Sequence, residues 1–256
     1  MCRGWAVIAG THQACSPDMK RQELLPMTLE IYDTRHALVE AASARIESAL
    51  KAAIRKNDRA GLILSGGSTP GPVYEHLSTV ELDWRKVTVG LADERWVAPD
   101  HPASNEKLIS ETLLKNEALN ATLLPMKTRH ATAELAVHDL NDRYQTFEGR
   151  MDVMVLGMGP DGHSLSWFPE ARGLKNAIDP ENTNLVADIQ ARQSPTTGEF
   201  TERMTLTARC VKQARHVFLL ITGQAKKDVL ESSDHNLPIR TVETLAGERL
   251  TIMWAA

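Results

Sequence analysis

Short apolar runs alternate with helix-period segments along this chain, and that alternation constrains its fold more than any other feature. Gly61-Leu62-Ile63-Leu64, Val87-Thr88-Val89-Gly90-Leu91, Asp152-Val153-Met154-Val155-Leu156, Val217 to Thr222 and Leu250-Thr251-Ile252-Met253-Trp254 each read as a buried strand. Between them lie helical stretches. In Thr34 to Lys56 the residues Leu38, Ala42, Ile46, Ala49 and Ala53 recur at helical spacing, and Asn57-Asp58 ends the run. A segment from Pro70 to Thr79, then Ser104 to Leu114, Thr132 to Phe147 and Gln224 to Glu231 read the same way. Strands separated by helices pair in parallel, and a parallel strand buried on both faces carries an unbroken apolar run. The pattern therefore predicts an α/β fold, a doubly wound and mostly parallel open sheet with helices on both faces. Leu185–Ile189 and Arg203–Thr207 have no helix between them and are expected as antiparallel additions. No repeat or long linker divides the chain. Residues 27–256 are expected to form one domain and residues 1–26 a disordered or non-core extension.

In open sheets of this kind, ligands bind beyond the carboxyl ends of the strands. Four loops of unusual chemistry fall there: Ser65–Pro70, Ala92–Val97, Gly157–His163 and Thr222–Lys226. Gly66 and Gly67 let the backbone turn tightly and approach a ligand. Thr69 is placed to cap the next helix and Pro70 to enter its first turn, an arrangement that suits an anion such as phosphate. The same residues also make a plain strand-to-helix turn, and no Gly-Lys-Ser/Thr follows. Asp93-Glu94-Arg95 reads either as a guanidinium poised to grip phosphate or as a surface ion pair.

Gly157-Met158-Gly159-Pro160-Asp161-Gly162-His163 contains the spacing of a dinucleotide fingerprint, but it lies far from the first strand and Pro160 stiffens it. Its three glycines instead bring Asp161 and His163 over the strand edge, and a histidine there can take a proton from water. Arg203 and Lys226 either add positive charge to the same crevice or are solvated surface cations.

Composition removes several other classes. Lys plus Arg number 29 against 33 Asp plus Glu, a net charge of −4 that argues against nucleic acid or anionic membrane as partner. Cys2, Cys15 and Cys210 are odd in number and form no C-x-x-C, so neither a disulfide framework nor a zinc site is expected, and a reducing, cytoplasmic location fits. No stretch approaches the roughly 18 apolar residues of a membrane span. There is no G-x-S-x-G and no H-E-x-x-H, and His130 and His138 lack a matching acid cluster, so no metal is expected.

Five blocks together resemble the 6-phosphogluconolactonase family. They are Leu64–Pro70, Ala92–Val97 with Ser104-Asn105, Gly157–His163 with Phe168-Pro169, Glu202–Thr207, and Gly223-x-x-Lys226. The resemblance runs from Met27 to the C-terminus. It implies hydrolysis of 6-phospho-D-glucono-1,5-lactone to 6-phosphogluconate, a step of the oxidative pentose phosphate pathway, without cofactor and by a monomer or weak homo-oligomer. It makes His163 the base and Asp161 its partner. Gly66, Gly67, Ser68, Thr69, Asp93, Arg95, Asn105, Arg203 and Lys226 become the residues that meet phosphate or sugar. One departure is Ser164-Leu165-Ser166-Trp167, where relatives more often carry a Thr-Ala-Ser-Leu-like run.

Two other readings compete. Related amino-sugar-phosphate isomerase-deaminases carry Asp-Glu-Tyr and Asn-Glu-Pro where this chain has Asp93-Glu94-Arg95 and Trp167-Phe168-Pro169, which counts against that chemistry. A sugar-phosphate sensor would keep the phosphate loops but have no need of His163.

Overall fold

The computed structural model describes residues 28–256; Cys2, Cys15 and the extension read over residues 1–26 lie outside the described residues. In chain order the elements are β1 Thr28–Tyr32, α1 Arg35–Asn57, β2 Ala60–Leu64, α2 Gly71–Leu77, β3 Val87–Leu91, β4 Asp93–Arg95, α3 Asn105–Thr112, β5 Thr122–Leu124 and α4 Ala133–Tyr144. They continue with β6 Val153–Leu156, α5 Leu174–Ala177, β7 Val186–Gln190, β8 Glu202–Leu206, α6 Ala208–Gln213, β9 His216–Thr222, α7 Gln224–Glu231, α8 Pro238–Ala246 and β10 Leu250–Ala255.

Local chemistry sets the helix bounds. Thr34 caps α1, its hydroxyl accepting from the Ala37 N–H at 3.0 Å, and Asp58 ends the helix in a left-handed conformation. The buried stripe of α1 is Leu38, Ala42, Ile46, Leu50 and Ala53. Ser104 and Thr132 cap α3 and α4 in the same way. Every residue of β2 and β6 is buried, as expected of strands covered on both faces. Asp152, just before β6, accepts from the Gly61 N–H at 2.9 Å and ties the two central strands together at their base.

Seven strands form one parallel sheet in the order β1-β10-β9-β6-β2-β3-β5. From β2 the chain steps outward through β3 to β5. It then returns to the other side of β2 and steps outward the opposite way through β6, β9 and β10. With crossovers of constant hand, that reversal places helices on both faces and leaves a crevice between β2 and β6, at the carboxyl ends of their strands.

The predicted antiparallel strands exist, but they do not extend this sheet. β7 and β8 form a separate three-stranded antiparallel sheet with β4, which follows β3 after the single residue Ala92. The segment read from sequence as a strand-end loop thus supplies an edge strand. β1, β5, α5, α6 and α8 also appear without having been expected. Most are short, and β1 and β5 are edge strands whose partners are distant in sequence.

Thr69 requires a correction. Helix α2 begins only at Gly71, Pro70 precedes it with no side-chain cap, and the Thr69 hydroxyl instead lies 3.2 Å from that of Thr222 on β9. Threonine at this point links two strand ends rather than capping a helix.

Among the described residues no helix is long and apolar enough to cross a membrane. Among the same residues no three His, Cys, Asp or Glu side chains stand close enough together to hold a metal ion. His130 and His138 both lean toward Asp139, at 3.6 and 3.7 Å.

Candidate active site

At the switch point between β2 and β6 a cavity of about 420 Å³ opens, closed on one side by the small sheet. Its lining includes Gly66, Gly67, Ser68, Thr69, Asp93, Arg95, Asn105, His163, Arg203 and Lys226, so ten of the residues singled out in the sequence meet around one space. Asp161, the eleventh, reaches it through its bond to His163.

After β2 the chain does not enter a helix directly. The backbone N–H groups of Gly66, Gly67, Ser68 and Thr69 have no protein acceptor among the described residues, although all four residues line the cavity. Successive free N–H groups in a turn form a concavity that favours an anion. Glycine at 66 has a steric cause: a Cβ there would lie 1.9 Å from the Asn105 side-chain oxygen.

Asn105 is the hub of the neighbouring corner. Its amide nitrogen donates to the Asp93 carbonyl oxygen at 2.8 Å, and its amide oxygen accepts from Arg95 Nη1 at 2.9 Å. Arg95 Nη1 also donates to the Ala103 carbonyl at 2.8 Å. Asp93 accepts from the Ser166 hydroxyl at 2.6 Å. Beneath them lies Glu94, 0% exposed, whose carboxylate accepts from the backbone N–H groups of Arg95, Asn105 and Glu106 and from the Ser104 hydroxyl at 2.7–3.0 Å. Burial pushes the Glu94 carboxyl above its ordinary pKa against the pull of those four donors. Sequence reasoning gave Glu94 no role of its own. Its position one residue along a strand from Asp93, hence on the opposite face, was the available signal.

The Gly157–His163 loop follows β6. The His163 Nδ1 atom lies 2.5 Å from Asp161 Oδ1. A carboxylate only accepts, so Nδ1 carries the proton in the neutral ring and Nε2 is left with the lone pair. Burial pushes the Asp161 carboxyl up, but the side-chain bond, charge and backbone N–H of His163 outweigh it, and the net shift is downward. The carboxylate therefore stays ionised beside the ring. The imidazole lies against Gly159, where a Cβ would stand 2.2 Å from Cε1, so this glycine is needed for close approach. On its other side the ring packs on Phe168, centroids 4.3 Å apart. Phe168 also lies under the Arg203 guanidinium, with Cζ 5.4 Å from the ring centroid. This bridging contact is not readable from sequence.

The β4–β8 register places Arg95 directly opposite Arg203. Like charges facing across strands repel, and among the described residues neither has a carboxylate within ion-pair distance. Arg203 is only 4% exposed and is held by the carbonyls of Phe200 and Thr197 at 2.6 and 2.8 Å. Burial, with Arg95 adding to it and the nearby Asp93 and Glu94 opposing, lowers its pKa to about 10. Lys226, in the first turn of α7, also lacks a carboxylate partner among the described residues, and burial followed by repulsion from Arg35 holds its pKa below the ordinary value. Three cations thus converge where the two carboxylates, Asp93 and Asp161, are already engaged. An anion placed there would relieve that imbalance.

The sequence matches, over residues 33–252, the family described as glucosamine-6-phosphate isomerases/6-phosphogluconolactonase. A 6-phosphogluconolactonase of Rhizobium meliloti (strain 1021) is 37% identical over 232 residues, spanning 89% of this chain and 98% of that protein. One from Pseudomonas aeruginosa is 33% identical, spanning 88% and 94%. The crystal structure of a 6-phosphogluconolactonase from Shewanella baltica OS155 superposes with a TM-score of 0.82 at 35% identity, covering 91% of this chain and 99% of that one. A monomeric glucosamine-6-phosphate deaminase, at 16% identity and a TM-score of 0.66, shares the fold.

Proposed function

Because the chain belongs to the glucosamine-6-phosphate isomerase/6-phosphogluconolactonase family, we propose that it hydrolyses 6-phospho-D-glucono-1,5-lactone to 6-phosphogluconate, with His163 activating the water. The observation that carries the mechanism is the Asp161–His163 pair at the edge of a cation-lined cavity.

With Nδ1–H held by Asp161, Nε2 of His163 takes a proton from water as its oxygen bonds to C1 of the lactone. The carbonyl becomes a tetrahedral oxyanion. On collapse the bond from C1 to the ring oxygen breaks, and that oxygen takes the proton back from the imidazolium. The acid product then loses a proton to solvent. A lactone carbonyl is electrophilic enough that no covalent intermediate is required. The Gly66–Thr69 N–H groups, Arg95, Arg203 and Lys226 hold the phosphate and sugar hydroxyls, with Asn105 and Asp93 fixing Arg95. Anchoring a distant phosphate turns the water attack into an oriented, effectively intramolecular step.

The same reading takes residues 27–256 as one domain, supported by a continuous hydrophobic core across the described part. It also takes the enzyme as cytoplasmic and as a monomer or weak homo-oligomer, with no nucleic-acid partner; the net charge of −4 supports the last point.

The direct test supplies fresh lactone to the purified chain with a chelator present and follows 6-phosphogluconate through a coupled dehydrogenase. Acceleration over the spontaneous rate is expected. A folded protein that gives none, or that releases ammonia from glucosamine 6-phosphate at a comparable rate, would refute the reading. The packing of apolar Phe168 on His163, where the deaminating relatives carry an acid, favours the lactone.

Arg95→Ala and Lys226→Ala are expected to raise KM by about tenfold or more with a smaller fall in kcat, because ligands of a remote phosphate serve ground and transition states alike. Initial-rate kinetics on both variants, with KM unchanged, would remove them from the phosphate site.

A further inference from the structure

Behind the small sheet lies a second recess that the lactone chemistry does not use. Residues alternate between the two faces of a strand. Arg95 and Arg203 therefore face the catalytic cavity, while Trp96, whose N–H donates to the Glu202 carbonyl at 2.9 Å, faces away from it. This recess, of about 710 Å³, is larger than the catalytic cavity.

Its lining is of two kinds. Trp96, Pro99 and Pro125 give it apolar walls, and Lys127, Arg129 and Arg143 give it three cations with no carboxylate among the lining residues. Lys127 sits 4.1 Å from the Trp96 ring centroid, and among the described residues its ammonium otherwise meets only the carbonyls of Thr128 and His130, at 2.5 and 3.3 Å. Arg143 Nη1 donates to the Pro125 carbonyl at 3.0 Å. The two acids whose charge is felt by Lys127 and Arg143 are not among the lining residues. Glu202 is engaged by the Ala133 N–H, Glu106 feels the charge of Arg143, and among the described residues neither comes within ion-pair distance of these cations. Burial, opposed by Glu202, holds the Lys127 ammonium below its ordinary pKa, as expected of a cation short of counter-charge.

We infer that this recess is a second ligand site and that it takes a nucleoside phosphate. Unpaired cations call for an anion, which a phosphate group meets. A bare phosphate would leave the apolar walls uncovered. A second sugar phosphate has only a hydroxylated ring to set against those walls, at a cost in unpaired polar groups, whereas a nucleoside phosphate also offers the face of a base and can leave its ribose toward solvent. A flat base, whose faces suit apolar walls, carrying phosphate matches both halves and the volume.

The test is calorimetric titration of the full chain with adenosine 5′-diphosphate, alone and in competition with inorganic phosphate. The expected result is one ADP site per chain, from which phosphate displaces the nucleotide only at about tenfold higher concentration or more. The Lys127→Gln/Arg129→Gln double variant should bind ADP about tenfold or more weakly at an unchanged melting temperature, and Lys226→Ala should bind it as the wild type does. The proposal is overturned if the wild type shows no binding at millimolar ADP, or if the double variant binds normally. It is equally overturned if Lys226→Ala abolishes the heat, which would put ADP in the catalytic cavity, or if phosphate displaces ADP at an equal concentration. The experiment makes no use of the lactone reaction, so its failure leaves that reading standing.

Discussion

His163→Ala is expected to lower kcat for lactone hydrolysis by about 10²–10⁴-fold, the usual contribution of a positioned general base, or about 2.7–5.4 kcal/mol of barrier. KM should change little, because none of the proposed phosphate contacts passes through the imidazole. Asp161→Asn extends the test. An asparagine amide can donate to Nδ1, which leaves the proton on Nε2 and removes the lone pair from the side that meets water. It should therefore lose a large part of the same rate with its fold intact, since the bond lies at the rim of the site rather than in the core. Steady-state kinetics with a melting curve on each variant separates the outcomes. A His163→Ala protein that melts normally and keeps a rate within about threefold of wild type would end the general-base assignment and revive the sensor reading.

Glu94→Ala carries the second large expectation, and its origin is structural. The carboxylate takes four donors, three of them backbone N–H groups at the end of β4 and the start of α3, and no water reaches it. Removing it strands those donors in the interior, each costing about 1–3 kcal/mol where no substitute acceptor is found. With partial relaxation the total is about 3–5 kcal/mol, or roughly 10 °C in melting temperature for a chain of this size. The surviving folded protein should also show a raised KM, because Asn105 leads α3 and Arg95 hangs from Asn105 and Ala103. Glu94→Gln keeps one side-chain oxygen to accept and should recover a good part of both losses. Equal melting temperatures for wild type and Glu94→Ala would show that the corner holds together by packing alone.

Much of this architecture was legible before any coordinates. The central strands are short apolar runs because a parallel strand covered on both faces has no polar side to show, and periodicity reports that directly. Helix starts at Thr34, Ser104 and Thr132 were legible because capping is a contact between residues three apart. The four chemically unusual loops could be placed at one edge because, in a parallel sheet, every strand ends on the same side. His163 stands out as a candidate in the sequence because glycines crowded around an Asp and a His have few structural explanations.

What failed locally shares one cause. Thr69 has the composition of a cap, yet its hydroxyl meets Thr222 from a strand far along the chain, and no window of sequence contains both. The antiparallel strands were seen, but not that β8 would pair with β4 instead of joining the main sheet. That pairing sets Arg203 opposite Arg95 and creates the unneutralised charge on which the proposed anion site depends. It also makes Phe168 a spacer between His163 and Arg203, and gives the second recess its back wall. The sequence by itself determined the elements, their parallel arrangement and the edge where chemistry collects, because those follow from contacts a few residues long. Only the tertiary structure decided which side chains face each other there, because strand partners are chosen by burial across the whole molecule and not by any neighbour in the chain.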